Sequence, residues 1–114
     1  MTLVEQFERG TLPPSQFHHA QHLEVALWYG LHYTSEEALA RMCASLRNYL
    51  AVQHVPAQKY SLPVTVAWMA RVQSFLLTAD RSRPFPDLLA DFRAAVAHLP
   101  PALTVSATIE KNPS

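Results

Sequence analysis

The sequence of 114 residues has little glycine, little cysteine and no excess of either charge. Its two glycines, Gly10 and Gly30, stand far apart, which excludes the glycine-rich phosphate loops of P-loop and dinucleotide-binding proteins. Its one cysteine, Cys43, cannot form an internal disulfide, so a reducing compartment is favoured. Cys43 lies on an apolar helical stripe with no basic neighbour, and we expect it to pack as a small hydrophobic residue.

Charge and hydropathy limit the expected partners. Lys plus Arg number nine, as do Asp plus Glu, which leaves a formal net charge of zero. Such a chain has no strong field to attract nucleic acid or an anionic membrane, so we expect neither as a partner. No run reaches the roughly 18 apolar residues of a membrane span. The first residues, Met1 to Glu5, lack the basic and apolar parts of a secretory signal, and we therefore expect a cytoplasmic location.

The composition predicts a folded, helical protein. Hydrophobic residues make up 49% of the chain and charged residues 16%, which is too apolar for a disordered chain. Nine prolines separate segments of helical length, and no alternating strand pattern occurs between them. We expect an all-α protein, an antiparallel bundle of four to five helices. Residues 1–101 should form a single domain, and residues 102–114 a poorly ordered C-terminal tail.

Local signals predict where the first helices begin and end. A short helix over Leu3–Arg9 should end at Gly10. The first long helix should begin near Ser15, a good N-cap residue, and run to about Tyr33. Its apolar positions recur at helical spacing, which is typical of a helix with one buried face.

Three further helices should follow. Thr34 is expected to cap the second long helix, with Glu37 three residues later completing a capping box, and Pro56 should end it. The third should run from Ser61 to about Thr78 and be the most buried, because it has almost no charge after its first turn. A fourth should stop at the proline pair that begins at Pro100.

The segment most suggestive of chemistry contains three of the six histidines within five residues. On a helix, His18 and His22 are neighbours four positions apart, and His19 and His22 are neighbours three apart. Either spacing can bring two imidazoles to one metal ion. Zinc proteases also need a catalytic Glu between the histidines, where this chain has Ala20 and Gln21, so that class is excluded.

The position of each histidine on the predicted helix leaves three alternatives open. His19 falls inside the apolar face, His22 at its edge, and His18 towards solvent. The histidines could be core residues bonded to a carbonyl or a tyrosine, they could hold a metal with a third ligand, or they could serve acid–base chemistry or ligand binding. The sequence identifies no metal or other cofactor.

A second segment, in which Lys59 and Tyr60 precede a helix containing Thr65, completes a pattern. Together the two segments resemble a group of small bacterial helical proteins of unassigned function, over about residues 15–91. The shared motif is F-x-H-x-x-H-L-x-x-A followed by K-Y. In that group a His follows the Tyr, where this chain has Ser61. The resemblance therefore implies a location for a site and no particular reaction. The matching residues are Phe17, His19, His22, Leu23, Ala26, Lys59, Tyr60 and Thr65.

These observations predict a site for a small molecule, or less readily a metal, between the first and third long helices. A histidine would act there as general base or metal ligand, and the tyrosine would orient or protonate the substrate. The alternative is a non-catalytic helical module whose histidines and tyrosine form a structural network. The catalytic candidates are His19, His22 and Tyr60, and the candidate ligand contacts are Lys59, Thr65 and Trp68.

One aromatic residue bears on self-association. Trp28 falls on the polar face of the first long helix, where a large exposed ring should be covered. The leading helix, the tail or a second copy of the chain could cover it. Zero net charge leaves association unopposed, so a homodimer is slightly favoured.

Overall fold

The computed structural model describes residues 2–56 and 62–98, which form an antiparallel bundle of five α-helices. No strand occurs in these two ranges. Helices α2, α3 and α4 pack against one another, α1 packs mainly on α3, and α5 packs mainly on α2. The helices are α1 (Leu3–Arg9), α2 (His19–His32), α3 (Ser35–Val52), α4 (Leu62–Thr78) and α5 (Phe85–Val96), with a 3-10 turn at Pro14–Gln16.

One hydrophobic core takes side chains from all five helices. Its largest fully buried members are Tyr29, Phe7 and Phe92, which come from α2, α1 and α5. The predicted all-α bundle is thus confirmed. Within the described ranges, no helix combines the length and apolarity needed to cross a bilayer.

Most helix ends lie near their predicted positions. Gly10 caps α1 in the left-handed region, at φ 75°. The side chain of Thr34 accepts a hydrogen bond from the backbone N–H of Glu37 at 3.3 Å, as predicted for the start of α3. Helix α5 ends at Val96, four residues before the proline expected to stop it. Ser61, the predicted first residue of α4, and the predicted tail lie outside the described residues.

The first long helix begins later than predicted. It was predicted near Ser15, but α2 begins at His19, and Pro14–Gln16 form a separate 3-10 turn. Phe17 interrupts the helix with φ −109° and ψ 73°, and it is only 9% exposed. The burial of this aromatic ring outweighs the local signal of a good N-cap residue.

A close approach between α2 and α4 requires a glycine. A Cβ atom added at Gly30 would lie 2.3 Å from Cγ1 of Val72 and 3.1 Å from Cδ1 of Leu76. Carbon atoms pack at roughly 3.5–4.0 Å, so no side chain fits at this position. Gly30 therefore sets the distance between the two helices that flank the candidate site.

Side-chain hydrogen bonds attach α1 to α2 and α3. The fully buried Tyr29 donates its hydroxyl proton to Oε2 of Glu8 at 2.7 Å and lies 2.9 Å from Oγ of Ser45. Burial is the main cause that raises the pKa of Tyr29, so the ring stays a neutral donor. The end of α3 also donates to carbonyl groups of residues 8–12: Tyr49 to Leu12 (2.8 Å), Asn48 to Glu8 (3.1 Å) and Gln53 to Gly10.

Candidate functional site

The three clustered histidines occupy three different environments. His18 is exposed and is the N-cap residue of α2, where its backbone N–H donates to Oε1 of Gln21 at 2.9 Å. Because His18 precedes the first helical residue, the expected pairing of His18 with His22 on one helix is wrong. The spacing of four positions between two helical ligands therefore does not occur in this segment, whereas His19 and His22, three positions apart, both lie on α2.

His19 is half-buried at the first position of α2 and contacts Trp68 of α4. The two rings meet edge to face with their centroids 5.3 Å apart. Burial lowers the pKa of His19. Its Nδ1 atom is buried without a hydrogen-bond partner among the described residues, so the expected bond to a carbonyl or tyrosine is not found for that nitrogen.

His22 lies one turn further along α2 and is the more strongly perturbed histidine. Its ring stacks on Phe17 with centroids 4.0 Å apart and the planes 17° from parallel. Burial is the main cause that lowers the pKa of His22 to about 4, and the nearby charges of His19 and His18 act in the same direction. The sequence placed His22 at the edge of the apolar face and His19 inside it. In the structure both rings are half-buried, and the larger lowering of the pKa belongs to His22, on which the ring of Phe17 stacks.

A small pocket lies beside His22, where α2, α3 and α4 meet. Its volume is about 30 Å³, and its wall is apolar. A water molecule needs about 10–15 Å³ by this measure, so the space accommodates about two. The lining residues are His22, Leu23 and Ala26 of α2, Met42 and Leu46 of α3, and Val64, Thr65, Trp68 and Met69 of α4.

Two of the predicted ligand contacts, Thr65 and Trp68, line this pocket with His22. Trp68 is 7% exposed, and its Nε1 has no hydrogen-bond partner in the described part of the chain. Buried polar atoms without partners are uncommon in proteins, so this donor is notable in a ring that borders a pocket. Lys59 and Tyr60, the remaining predicted site residues, lie outside the described residues.

The metal hypothesis has limited support from geometry. Within residues 2–56 and 62–98, no three His, Cys, Asp or Glu side chains are grouped closely enough to hold an ion. A site built on His19 and His22 would need a third ligand from elsewhere in the chain, because tight zinc sites use at least three protein ligands.

Sequence reasoning missed the contribution of α3 to the pocket. Met42 and Leu46 lie on the predicted apolar stripe of α3, but a stripe shows only that a position is buried. It does not show which buried positions leave space between them. The only signal in the sequence was the pair of flexible methionines, Met42 and Met69, which adapt to irregular gaps.

Trp28 is half-buried, and part of its cover comes from the chain itself. His32 stacks on it with centroids 4.1 Å apart, and Leu3 and Val4 of α1 line the same groove. The leading helix was one of the expected covers for this ring. Association with a second copy stays a prediction.

Comparison with known proteins does not assign the chain to a family. A scan against models of protein families, a search of curated proteins and a search of solved structures each gave no match. The resemblance to small bacterial helical proteins stays a prediction.

Proposed function

We propose that this protein binds a compact, uncharged small molecule, one end of which enters the pocket between α2, α3 and α4. The observation that supports this proposal is the convergence of three predicted site residues, His22, Thr65 and Trp68, on one pocket. They come from two helices and from positions more than forty residues apart in the sequence.

The size and chemistry of the pocket define what can enter it. About 30 Å³ holds a small branched alkyl group and excludes a whole ring system. No lysine, arginine or acidic residue is among the lining side chains of the described chain. A charged group would lose its hydration there without compensation, which disfavours it strongly. The part of the ligand that enters is therefore apolar, and any polar part lies towards the mouth.

The state of His22 favours recognition over acid–base catalysis. With a pKa lowered to about 4, the ring is neutral at pH 7 and offers one N–H donor and one nitrogen acceptor. A general base works best when its pKa lies close to the working pH. His22 is thus better suited to hydrogen bonding with a neutral ligand than to the removal of a proton.

Methionine methyl groups provide a direct test. Two of the three methionines, Met42 and Met69, line the pocket, so protein labelled with ¹³C at the methionine methyls reports on it. Isobutyramide, a neutral molecule with a branched alkyl end, is the probe. We expect saturable shifts of both methyl signals, and no response in Ala26→Val, whose added methyl groups fill the pocket.

His98→Ala serves as the matched control, because His98 is exposed and is not among the residues that line this pocket. It should bind the probe as the unmodified protein does. Absence of any shift with isobutyramide, in a protein that melts normally, would contradict the proposal.

The rival function is a non-catalytic helical module in which the histidines are structural. The stack of His22 on Phe17 supports it, because that contact joins α2 to the cluster of Phe7 and Tyr49 without any ligand. The two functions differ in the effect of His22→Ala. A structural role predicts loss of stability alone, whereas a binding role predicts that isobutyramide binding weakens in protein that remains folded.

A further inference from the structure

A second and larger groove lies on another side of the bundle, between α1, α2 and the segment that leads into α5. Its volume is about 520 Å³, within the range of about 300–1,000 Å³ that is typical of small-molecule sites. None of the four predicted site residues that the structure describes lines it. The lining residues are Thr2, Leu3, Val4, Glu24, Trp28, Leu31, His32, Arg81, Arg83, Phe85 and Leu88.

The groove has a flat aromatic surface. Trp28 and His32 are stacked, with their planes 21° from parallel, and Nδ1 of His32 lies 2.8 Å from the carbonyl oxygen of Trp28. A carbonyl only accepts, so this nitrogen carries the hydrogen and the orientation of the imidazole is fixed. Leu31 and Phe85, both half-buried, add apolar surface. A planar apolar group can therefore lie against a preformed wall.

One arginine of the groove has no ion-pair partner within the described ranges. Arg83 forms an ion pair with Asp91, and Oε1 of Glu24 lies 3.7 Å from Nη2 of Arg93. Arg81, in contrast, forms no ion pair with any residue of the described ranges. A guanidinium group presents a planar fork of donors that matches a carboxylate.

A neighbouring recess shares Arg81 with the groove. Leu31, His32 and Arg81 line this recess as well as the groove, and Gln73 lines the recess with them. Nε2 of Gln73 is buried without a partner among the described residues. Glu37 also borders the recess but forms no ion pair with Arg81. Because Nε2 of Gln73 is enclosed near Gly30, Arg81 is the donor that a ligand beside the aromatic surface can reach.

We propose that the groove between α1, α2 and α5 binds a small anion with a flat apolar body, such as an aromatic carboxylate. The carboxylate binds Arg81, and the ring lies along Trp28. This site is separate from the pocket beside His22, and it requires an anion where that pocket disfavours one.

Benzoate and its neutral analogue benzamide test the inference. Each is titrated into ¹⁵N-labelled protein while the indole N–H signals are followed, with Trp28→Phe used to assign the Trp28 signal. We expect benzoate to shift the Trp28 signal and to bind about fivefold more tightly than benzamide, as an exposed ion pair allows. The difference should shrink as salt is added.

Two arginine variants test whether Arg81 is the charge that binds the carboxylate. Arg81→Gln should remove the preference for benzoate, whereas Arg71→Gln, at an exposed arginine of α4 outside the groove, should keep it. Equal binding of benzoate and benzamide, an unchanged preference in Arg81→Gln, or a response confined to Trp68 would each overturn the inference. None of these results bears on the isobutyramide experiment, which reports on the other pocket.

Discussion

The contact between α2 and α4 at Gly30 allows a quantitative prediction. Replacing Gly30 by Ala improves helix propensity by about 1 kcal/mol, because glycine costs that much in a helix interior. The same change places a methyl group 2.3 Å from a carbon of Val72, which is fully buried on the opposite helix. The two effects have opposite signs, so the experiment decides between them.

The cost of the steric clash with Val72 should exceed the gain in helix propensity. Overpacking a dense core costs about 1–3 kcal/mol, and a contact more than 1 Å too short between two helices belongs at the upper end. Subtracting the gain in propensity leaves a net destabilisation of about 2 kcal/mol for Gly30→Ala. Val72→Ala alone should cost about 2 kcal/mol, from two lost carbon groups and the cavity they leave.

The double variant isolates the contact. In the Val72→Ala background the obstructing carbon is gone, so Gly30→Ala should be neutral or stabilising by up to about 1 kcal/mol. The coupling energy between the two positions is then about 2–3 kcal/mol. Urea unfolding followed by circular dichroism gives the free energy of unfolding for each member of the cycle.

A control separates propensity from packing. Ala40→Gly, at an exposed position inside α3, should lower the free energy of unfolding by about 1 kcal/mol through propensity alone. If Gly30→Ala stabilised the protein by that same amount, or had equal effects with and without Val72, the inferred helix contact would be refuted.

Three further predictions concern single positions. Tyr29→Phe should cost about 1–2 kcal/mol in urea unfolding, because Glu8 and Ser45 lose their shared buried partner. Thr34→Ala should cost about 1 kcal/mol through the lost N-cap of α3, and Thr34→Ser should restore most of it. His22 should make stability depend on pH, because its folded pKa of about 4 lies below the unfolded value of about 6.5. The contribution of the neutral ring to the free energy of unfolding is complete above pH 6.5 and falls by up to about 3 kcal/mol towards pH 4. That loss should be absent in His22→Leu; an identical pH profile in this variant would show that the ring is not held neutral.

The fold was largely predictable because its signals are local. Gly10 ends α1 and Thr34 begins α3, where residue identity alone specifies the backbone or the cap. The start of α2 was not predictable in this way. Ser15 is a good cap in isolation, but the position of Phe17 depends on Phe7 and Tyr49, its distant partners in the aromatic cluster.

The site was predictable only in outline. Helical spacing placed His19 and His22 towards α4, and Trp68 does contact His19 and shares a pocket wall with His22. Spacing could not show which imidazole is more desolvated, because Phe17 covers His22 from outside the helix. The groove around Trp28 depends on a loop, and the sequence pattern of residues 80–84 indicates only a turn.

The hydrogen bonds that attach α1 to the end of α3 have a consequence for the order of assembly. Asn48 and Glu8 are separated by 40 positions, so a long loop must close before they meet. Helix α1 has seven residues, too few for stability on its own, and should form only after α3 is complete to its last turn. Because Leu3 and Val4 wall the groove beside Trp28, that groove exists only while α1 is docked, and whatever binds there stabilises the docked helix.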